Sequence, residues 1–388
     1  MDLVTYVHTA CGCFNPGRST LYEQCAAGAA EKPSPITKAN WPWEKKAHTM
    51  KSPDEKKSPS SEDPNKPKRV LPPKGNSEAL AQAIFSTSSA WKLERLRKRG
   101  LDGTGTVIVI LDTAIDLSCP AFHQKDIPFL DYLEHCPIAS TEHGTVCAAV
   151  AVGSPSTEVP SGVAPCAQLI VCRVAEGGYS CNEAVLRVLD DMIKAMTDNG
   201  TQIDVVSISY DLNEDQEEEI RWKIKQLTEK GVVFVAGAGN RGRYQPRASI
   251  PACFDSVISV GALDRNGRPS SFNACGRIDV YAPGEDIPTP SSTSDIFKGT
   301  SFAAPAVGGL VLLLKQWAKE VGPPASDHIH QVKILRSIFN KNMITKSYDG
   351  QVDIFDPVGF FLRMIDNRVL LNKIIQKHLA MDCEDMEH

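Results

Sequence analysis

The fold of this chain is decided by residues 103–116, whose sequence is GTGTVIVILDTAID. Glycines precede a run of five aliphatic residues at 107–111, and Asp112 ends that run. A short β-branched run between such breakers predicts a strand that is buried on both faces, as in a parallel sheet. Reactive side chains collect beyond the carboxyl ends of such strands, so Asp112 is a candidate functional residue, although an aspartate there is also a common turn residue.

Strands of the same kind recur along the chain and alternate with helices. The two clearest helices are predicted at 182–196 and at 213–230, where Asn213 is the expected N-cap and Gly231 the stop. Buried strands that alternate with helices need cover on both faces, so the sequence predicts an α/β fold, a three-layer α/β/α arrangement with a mostly parallel central sheet. The further strands are predicted at 168–174, 204–210, 232–236 and 257–260.

The overall composition excludes several classes of protein. The chain has 388 residues, 42% of them apolar, and a formal net charge of −5. That charge predicts no nucleic-acid partner, because nucleic-acid binding usually needs a strongly basic face. We expect no membrane span, because the longest apolar runs fall far short of the roughly 18 to 20 residues that a bilayer requires. The first residues, MDLVTYVH, do not resemble a secretory signal, so we expect a cytoplasmic protein, or a secreted one if the N-terminus is incomplete.

Three regions of the chain differ in composition. Residues 1–80 are rich in proline, lysine and serine and contain few large apolar residues, so they are predicted to be disordered. Residues 81–366 contain the predicted strands and helices and form one α/β domain. Residues 367–388 are predicted to be a C-terminal helical extension, because apolar residues recur at helical spacing over 367–381.

Twelve cysteines are spread from Cys11 to Cys383. A chain of this size buries its own core, so isolated buried thiols are predicted in preference to a disulfide framework. Cys11, Cys13 and Cys25 leave open a small metal knuckle, but no fourth ligand stands at a usual spacing. No metal site is therefore predicted.

Four polar residues stand where a parallel sheet collects reactive groups. One of them, Asn240, closes the glycine-rich segment VAGAGNRG at 235–242, whose glycines also fit the dinucleotide-binding pattern GxGxxG. That alternative needs a helix directly after the glycines, and Pro246 and Pro251 exclude such a helix. Ser301, ahead of a helical segment, could also be only an N-cap. The four candidates are Asp112, His143, Asn240 and Ser301.

The order Asp, His, Asn, Ser is one of the known chain orders of a serine triad with an asparagine before the serine. Together with the surrounding motifs, it makes the chain resemble the subtilisin-like serine proteases over about residues 85–366. The motifs that carry the resemblance are ILDTA at 110–114, HGT at 143–145, GVAP at 162–165, VSIS at 206–209, AGN at 238–240, YAPG at 281–284 and GTSFAAP at 299–305.

The resemblance implies that residues 81–366 form a subtilisin-like peptidase domain with serine endopeptidase activity. It assigns Ser301 as the nucleophile, His143 as the base that takes its proton, and Asp112 as the residue that orients the histidine. Asn240 and the Ser301 amide would form the oxyanion hole. No cofactor is implied. Calcium is not supported, because the loop at 153–162 lacks the asparagines of the family's calcium loop.

The resemblance also implies a cleft for an extended peptide or protein substrate. Two segments would line this cleft and pair with the substrate as an added strand. Asp211 would place a carboxylate beside the first specificity pocket and favour lysine or arginine before the cut bond, unless it only caps the next helix. The expected substrate-binding residues are Ser209, Tyr210, Asp211, Gly237, Ala238 and Gly239.

Some departures from the family pattern leave a second interpretation open. Ala114 stands where relatives usually have glycine, and residues 1–80 do not resemble a compact propeptide. A catalytically silent subtilase-fold module that binds peptides or proteins is therefore the alternative. If the enzyme is active, the N-terminal segment or a separate protein regulator is expected to inhibit it.

Overall fold

The structure is a computed structural model, and it describes residues 6–8, 93–123, 125–133, 136–155, 161–288, 290, 296–323, 325–340, 357–366 and 368–385. Most of the segment predicted to be disordered lies outside these residues. The same is true of the three cysteines of the suggested metal knuckle and of residues 156–160 in the loop considered for calcium.

The described part of the chain contains twelve strands. In chain order they are β1 Tyr6–His8, β2 Val107–Asp112, β3 Phe129–Asp131, β4 Gln168–Arg173, β5 Ala175–Glu176, β6 Tyr179–Ser180, β7 Val205–Ile208, β8 Val233–Gly237, β9 Val257–Leu263, β10 Val280–Pro283, β11 Ile287–Pro288 and β12 Ile296–Phe297. Five of them, β2, β4, β7, β8 and β9, lie at the apolar runs that predicted them, with bounds that usually agree within one or two residues, and the other seven were not predicted.

Nine α-helices are described, together with 3-10 turns at Pro120–Phe122 and Gly242–Tyr244. The α-helices are α1 Glu94–Arg97, α2 Glu142–Val152, α3 Asn182–Asn199, α4 Glu217–Glu229, α5 Thr300–Val321, α6 Ala325–His328, α7 Val332–Asn340, α8 Pro357–Asp366 and α9 Arg368–Asp385.

Eight of the described strands form one sheet in the order β1-β3-β4-β2-β7-β8-β9-β10. Neighbours from β3 to β10 pair in parallel, and only β1 is antiparallel, pairing with β3. Helices cover both faces, which confirms the predicted three-layer α/β/α fold. Because all strands from β3 to β10 run in one direction, their carboxyl ends meet along one edge of the sheet.

The central strand β2 shows how the sequence builds two cores. All six of its residues are buried. Since side chains alternate between the faces of a strand, Ile108 and Ile110 enter the core on one face, and Val107 and Val109 enter the core on the other. A strand buried in this way must be apolar throughout, and this is why the run at 107–111 reads as continuous rather than alternating.

The two faces of the sheet are covered by different helices. α2 and the long α5 pack on the face of Ile108 and Ile110, whereas α3 and α4 pack on the other face. By length and composition alone, α5 is the one described helix that is apolar enough to cross a membrane, but 94% of its apolar stretch is buried inside the protein. A helix with apolar residues on all sides is expected at the centre of a large core.

Two local predictions are wrong, and one alternative is excluded. α4 begins at Glu217, and the Asn213 side chain instead accepts a hydrogen bond from the Asp215 N–H at 3.0 Å, so it closes a turn before the helix. Ser301 lies inside α5 and is not its N-cap, a position that Gly299 takes. Cys166 is disulfide-bonded and departs from the expectation of isolated thiols. Seven other described cysteines do carry free thiols.

The predicted C-terminal extension contains helix α9, which packs on the body of the domain. Its residues Leu371, Ile374 and Ile375 are buried and join the core beneath α5. The Ser337 hydroxyl lies 2.6 Å from Nε2 of His378 and links α9 to α7. The buried residues among those whose spacing predicted this helix therefore pack against the same chain and not against a separate partner.

A buried ion pair fixes α5 at the amino-terminal edge of the sheet. The Lys315 ammonium lies 3.3 Å from the Asp204 carboxylate and donates to the Gly231 carbonyl at 2.7 Å. Burial raises the pKa of Asp204, but the charges of Lys315 and Lys319 and the hydrogen bonds from Gln202 and Val107 together lower it by more, so the carboxyl stays ionised. Burial lowers the pKa of Lys315. An isolated charge at this place would be costly.

We expect Asp204→Asn to lower the free energy of unfolding by about 3 kcal/mol, because the Lys315 ammonium loses its buried counter-charge. Lys319→Met is the matched control, since the Lys319 side chain is 43% exposed and its ion pair with Asp204 should be worth less than about 1 kcal/mol. Urea unfolding measures both. Because the pKa of Asp204 is lowered on folding, its contribution should be present above the unfolded pKa and fade as pH falls through the folded pKa. Equal losses in the two variants would contradict this account.

Candidate active site

The predicted site residues gather at the carboxyl edge of the sheet. Asp112 ends β2, Ser209 directly follows β7, and Asn240 follows β8. These three strands are adjacent in the sheet, so the side chains that follow them lie side by side. α2 brings His143 and α5 brings Ser301 to the same edge from one face.

Asp112 and His143 form a direct hydrogen bond. Nδ1 of His143 lies 2.7 Å from Oδ1 of Asp112, and the Asp112 side chain is fully buried. A carboxylate oxygen can only accept, so Nδ1 must carry the proton. The Thr113 N–H donates to the same Oδ1 at 2.7 Å, whereas the buried Oδ2 has no hydrogen-bond partner among the described residues.

The position of His143 depends on how closely α2 approaches the end of β2. The Gly144 N–H donates to the Thr113 hydroxyl at 3.0 Å. A Cβ at Gly144 would lie 2.8 Å from the carbonyl oxygens of Thr113 and Ala114, so only glycine allows this contact. Ala114 itself is not among the described non-glycine residues with positive φ, and alanine is therefore accommodated where relatives have glycine.

The His143 ring is packed on several sides. Its centroid lies 4.8 Å from that of Tyr210 and 5.1 Å from that of Phe302. Sγ of Cys147, one helical turn later, is 3.8 Å from Nδ1. Burial and the Asp112 charge raise the pKa of the Cys147 thiol to about 11, so the thiol is neutral near pH 7. The imidazole is thus held in one orientation.

Two opposing effects set the charge of His143. Burial is the largest single effect and lowers its pKa, but the Asp112 carboxylate and the contact with Cys147 together raise it by more, so the net pKa lies well above the ordinary 6.5. Asp112, His143 and Cys147 also offer three ligand atoms within 4.8 Å of one another. Since Nδ1 is already bonded to Asp112, a metal there would have to displace the hydrogen bond that orients the imidazole.

Ser301 lies in the first turn of α5, half-buried, and exchanges two hydrogen bonds with Ser209. The Ser301 hydroxyl donates to the Ser209 carbonyl at 2.9 Å, and the Ser209 hydroxyl donates to the Ser301 carbonyl at 2.8 Å. Cys147 Sγ also lies 3.4 Å from the Ser301 carbonyl oxygen. The backbone of Ser301 is therefore fixed relative to both β7 and α2.

Asn240 is oriented by a residue to which the sequence analysis gave no role, Thr300. Oδ1 of Asn240 accepts from the Thr300 N–H at 2.9 Å and from the Thr300 hydroxyl at 3.1 Å. Because the amide oxygen is occupied in this way, the amide NH₂ points away from Thr300. A Cβ at Gly299, which adjoins the Ser301 turn, would lie 3.5 Å from that nitrogen. Thr300 belongs to the quoted motif GTSFAAP, which was the only sequence signal for it.

The backbone of the segment Gly237, Ala238 and Gly239 was predicted to pair with the substrate, but it is already hydrogen-bonded within the protein. The Ala238 N–H donates to Val260 and its carbonyl accepts from Ser249. The Gly239 N–H donates to the Thr300 hydroxyl, and its carbonyl accepts from Ala274. Backbone groups engaged within the protein are not available to a ladder with an added strand, so this segment can form a wall of the cleft but not a pairing edge. Only the 3-10 turn at Gly242–Tyr244, and no α-helix, follows the glycines, as the prolines predicted.

The segment on the other side of the cleft keeps unpaired donors. Among the described hydrogen bonds, none uses the N–H of Tyr210 or Asp211, and the Asp211 carbonyl accepts from the Ser180 hydroxyl at 2.7 Å. The Asp211 carboxylate, 43% exposed, lies 3.5 Å from the Arg241 guanidinium. Sequence reasoning missed Arg241. It directly follows Asn240, but nothing in its spacing indicated a contact with a residue 30 positions earlier.

We expect NMR titration of His143 to give a pKa well above the usual range for histidine. Asp112→Asn should bring this pKa below 6.5, because burial then acts without the opposing carboxylate. Asp116→Asn is the matched control. Asp116 lies in the same loop, but its carboxylate accepts from Ser118 and not from His143. A pKa that is the same in the wild type and in Asp112→Asn would contradict the assigned electrostatics.

Comparisons with known proteins agree with the geometry. A sequence model described as the subtilase family matches residues 103–351. Thermitase of Thermoactinomyces vulgaris is 31% identical over 220 residues, which cover 55% of this chain and 76% of thermitase. The major intracellular serine protease of Bacillus subtilis (strain 168) is 29% identical over 243 residues, which cover 59% of this chain and 74% of that protein.

Solved structures give the same fold. The prenylagaramide maturation protease PagA superimposes with a TM-score of 0.55 and 21% identity, over 69% of this chain and 97% of that chain. At this identity the likeness concerns the fold alone. The match of the family model to well over half of the chain is the stronger result, and it shows that the chain belongs to the subtilase family of serine proteases and is a serine-type endopeptidase.

Proposed function

We propose that the chain hydrolyses peptide bonds of peptide or protein substrates through a triad of Asp112, His143 and Ser301. The observation that carries the proposal is the buried hydrogen bond between Asp112 and His143, at the sheet edge that also holds Ser301 and Asn240. A buried carboxylate that binds Nδ1 leaves the other ring nitrogen, Nε2, as the base. This is the arrangement that activates a serine hydroxyl.

The proposed reaction has two matched halves. Ser301 Oγ forms a bond to the substrate carbonyl carbon while its proton passes to Nε2 of His143. The C–N bond then breaks, and the same proton goes to the leaving amine, which leaves an acyl group on Ser301. Water repeats the sequence and releases the acid. Asp112 stays ionised throughout and stabilises the imidazolium that forms in each half.

Asn240 and the Ser301 N–H are proposed to stabilise the negative oxygen of the tetrahedral intermediate. Thr300 occupies the Asn240 carbonyl oxygen with two donors, so the amide NH₂ is held in advance of the reaction. A donor that needs no reorientation when charge develops stabilises the transition state more than one that must first turn. The Ser301 N–H lies at the start of α5, where the helix dipole also favours negative charge.

The substrate is proposed to lie extended along the unpaired donors of Tyr210 and Asp211, with the segment 237–239 as the opposite wall. Every proton and bond in the proposed steps involves groups of the chain, the substrate or water, so the reaction needs no cofactor. The expectation that the loop at 153–162 does not bind calcium stays a prediction, since residues 156–160 lie outside the described part.

Two further proposals concern regulation and location. One relative carries the word intracellular in its name, which supports the expected cytoplasmic location of this chain. Inhibition by residues 1–80 or by a separate regulator also stays a prediction. Of that segment only β1 is described, where it pairs with β3 at the edge of the sheet.

The test is covalent labelling of the full-length chain with an alkyl fluorophosphonate, read out by mass spectrometry. We expect a single adduct on Ser301, none in Ser301→Ala, and labelling slowed by on the order of 10³-fold or more in His143→Ala. Ser326→Ala, which removes a serine from the far end of the domain, should label like the wild type. If the folded wild type labels no faster than Ser301→Ala, the chain is instead the catalytically silent binding module.

The expected preference for lysine or arginine before the cut bond needs refinement, because Arg241 already partners Asp211. We expect Arg241→Ala to raise cleavage after lysine and arginine, relative to leucine, by about fivefold, since it frees the Asp211 carboxylate. Asp211→Asn should cancel the gain in the double variant. A peptide library read by mass spectrometry measures the profile.

Arg243→Ala is the matched control for this experiment, because the Arg243 guanidinium bonds the Tyr244 hydroxyl at 2.8 Å and does not contact Asp211. It should leave the profile as it is in the wild type. A profile that is also unchanged in Arg241→Ala would show that Asp211 does not face the specificity pocket.

A further inference from the structure

The Ser301 hydroxyl rests on an acceptor other than its proposed base. The hydroxyl donates to the Ser209 carbonyl at 2.9 Å, and among the hydrogen bonds of the described residues none joins it to His143. The hydroxyl must therefore leave the Ser209 carbonyl before His143 can take its proton. Something in the catalytic cycle has to favour that change.

Only the hydroxyl is free to move in this group. The Ser301 carbonyl is held by the Ser209 hydroxyl at 2.8 Å and approached by Cys147 Sγ at 3.4 Å. His143 is bonded to Asp112 and packed between Tyr210 and Phe302. A rotation about the Cα–Cβ bond of Ser301 moves the hydroxyl and leaves both the backbone and the imidazole in place.

The Ser209 carbonyl lies where a substrate N–H would reach it. Ser301 Oγ attacks a carbonyl carbon, and the N–H of the same substrate residue is only two bonds from that carbon. Because Oγ itself is 2.9 Å from the Ser209 oxygen, an N–H so close to the attacked carbon can reach the same oxygen in an extended substrate. The serine hydroxyl and the substrate N–H therefore compete for one acceptor.

We propose that the Ser209 main-chain carbonyl holds the nucleophile in reserve, and that the N–H of the substrate residue at the cut bond displaces the Ser301 hydroxyl and releases it to His143. The inference rests on the proposed function. It makes Ser209 a positioning residue that acts through Ser301. Occupation of the cleft by a peptide backbone then speeds activation of the serine and does not serve binding alone, so a reagent without that N–H still reacts, but more slowly.

The test compares two inhibitors that differ in that N–H alone. One is an acetyl-tripeptidyl diphenyl phosphonate that ends in the phosphonate analogue of leucine. The other is the same compound with an ester oxygen in place of the N–H on the carbon that carries phosphorus. In either reaction Ser301 Oγ forms a bond to phosphorus, one P–O bond to phenoxide breaks, and the serine proton leaves through His143 to the phenoxide. The maximal inactivation rate kinact and the half-saturating concentration KI are measured separately with the full-length chain.

Each kinact is divided by the same compound's rate of alkaline hydrolysis in buffer, which corrects for the reactivity of its phosphorus. We expect this quotient to be roughly tenfold lower for the ester compound than for the amide, because the ester cannot displace the hydroxyl. A contact that merely binds substrate would change KI and leave kinact the same, and that result would overturn the inference. If the ester compound binds too weakly to saturate, lengthening both compounds by the same two residues on the amino side restores saturation.

A variant of Ser209 separates its carbonyl from its hydroxyl. Ser209→Ala keeps the carbonyl, so the ratio of the two kinact values should persist. Loss of the ratio would assign the effect to the hydroxyl and overturn the inference. Fluorophosphonate labelling of the same preparation reports on the triad separately. If that labelling fails, the proposed function falls, whereas labelling without reaction of either phosphonate contradicts only the release by an N–H.

Discussion

The hydrogen bond between the buried Asp112 carboxylate and Nδ1 of His143 depends on packing that reaches far beyond the two residues. A carboxylate with one oxygen unpaired in the interior is tolerated only when a polar or positive group faces it. β2 places that carboxylate at the end of a strand buried on both faces, and α2 must come close enough for His143 to donate a hydrogen bond to it. The close approach at Gly144 shows that this packing leaves no room for a side chain. The reactive pair is thus a consequence of how a helix and a strand of the core meet.

Helix α5 joins the stability of the fold to the placement of the nucleophile. Its first turn carries Ser301 at the carboxyl edge of the sheet, and Lys315 further along the same helix is bonded to Asp204 and Gly231 at the opposite edge. A rigid helix fixed at both edges cannot slide along the sheet without breaking a buried ion pair. The distance between nucleophile and base is therefore set partly by contacts at the far end of the molecule. Thr300, in the same first turn, donates two hydrogen bonds to Oδ1 of Asn240, so the position of α5 also sets the orientation of that amide.

Five of the parallel strands and the helices α3 and α4 could be predicted from the sequence because continuous apolar runs and glycine stops reflect burial directly, whereas the other strands lack such runs. The four candidate residues could be predicted because each stands near the end of a strand or in the first turn of a helix, and together they fit a family motif. The rest could not, for a physical reason. The Thr300–Asn240 and Arg241–Asp211 contacts join side chains from separate segments, and their existence depends on rotamers that no spacing rule fixes. The engaged backbone of Ala238 and Gly239 likewise depends on loops that fold back after the glycines. Asn213 was misassigned because its side chain serves a turn as well as it would serve a helix cap.

The charge of His143 and the position of the Ser301 hydroxyl are consistent with one another. A raised pKa keeps a proton on Nε2 over a wider pH range, and a protonated Nε2 can only donate. The serine hydroxyl then has no acceptor on the imidazole and turns to the Ser209 carbonyl. Catalysis needs the form of His143 that has lost this proton, because only an unprotonated Nε2 can act as the base. A peptide that fills the cleft acts on the hydroxyl, since its N–H competes for the Ser209 carbonyl, and the released hydroxyl then offers its proton to the neutral imidazole.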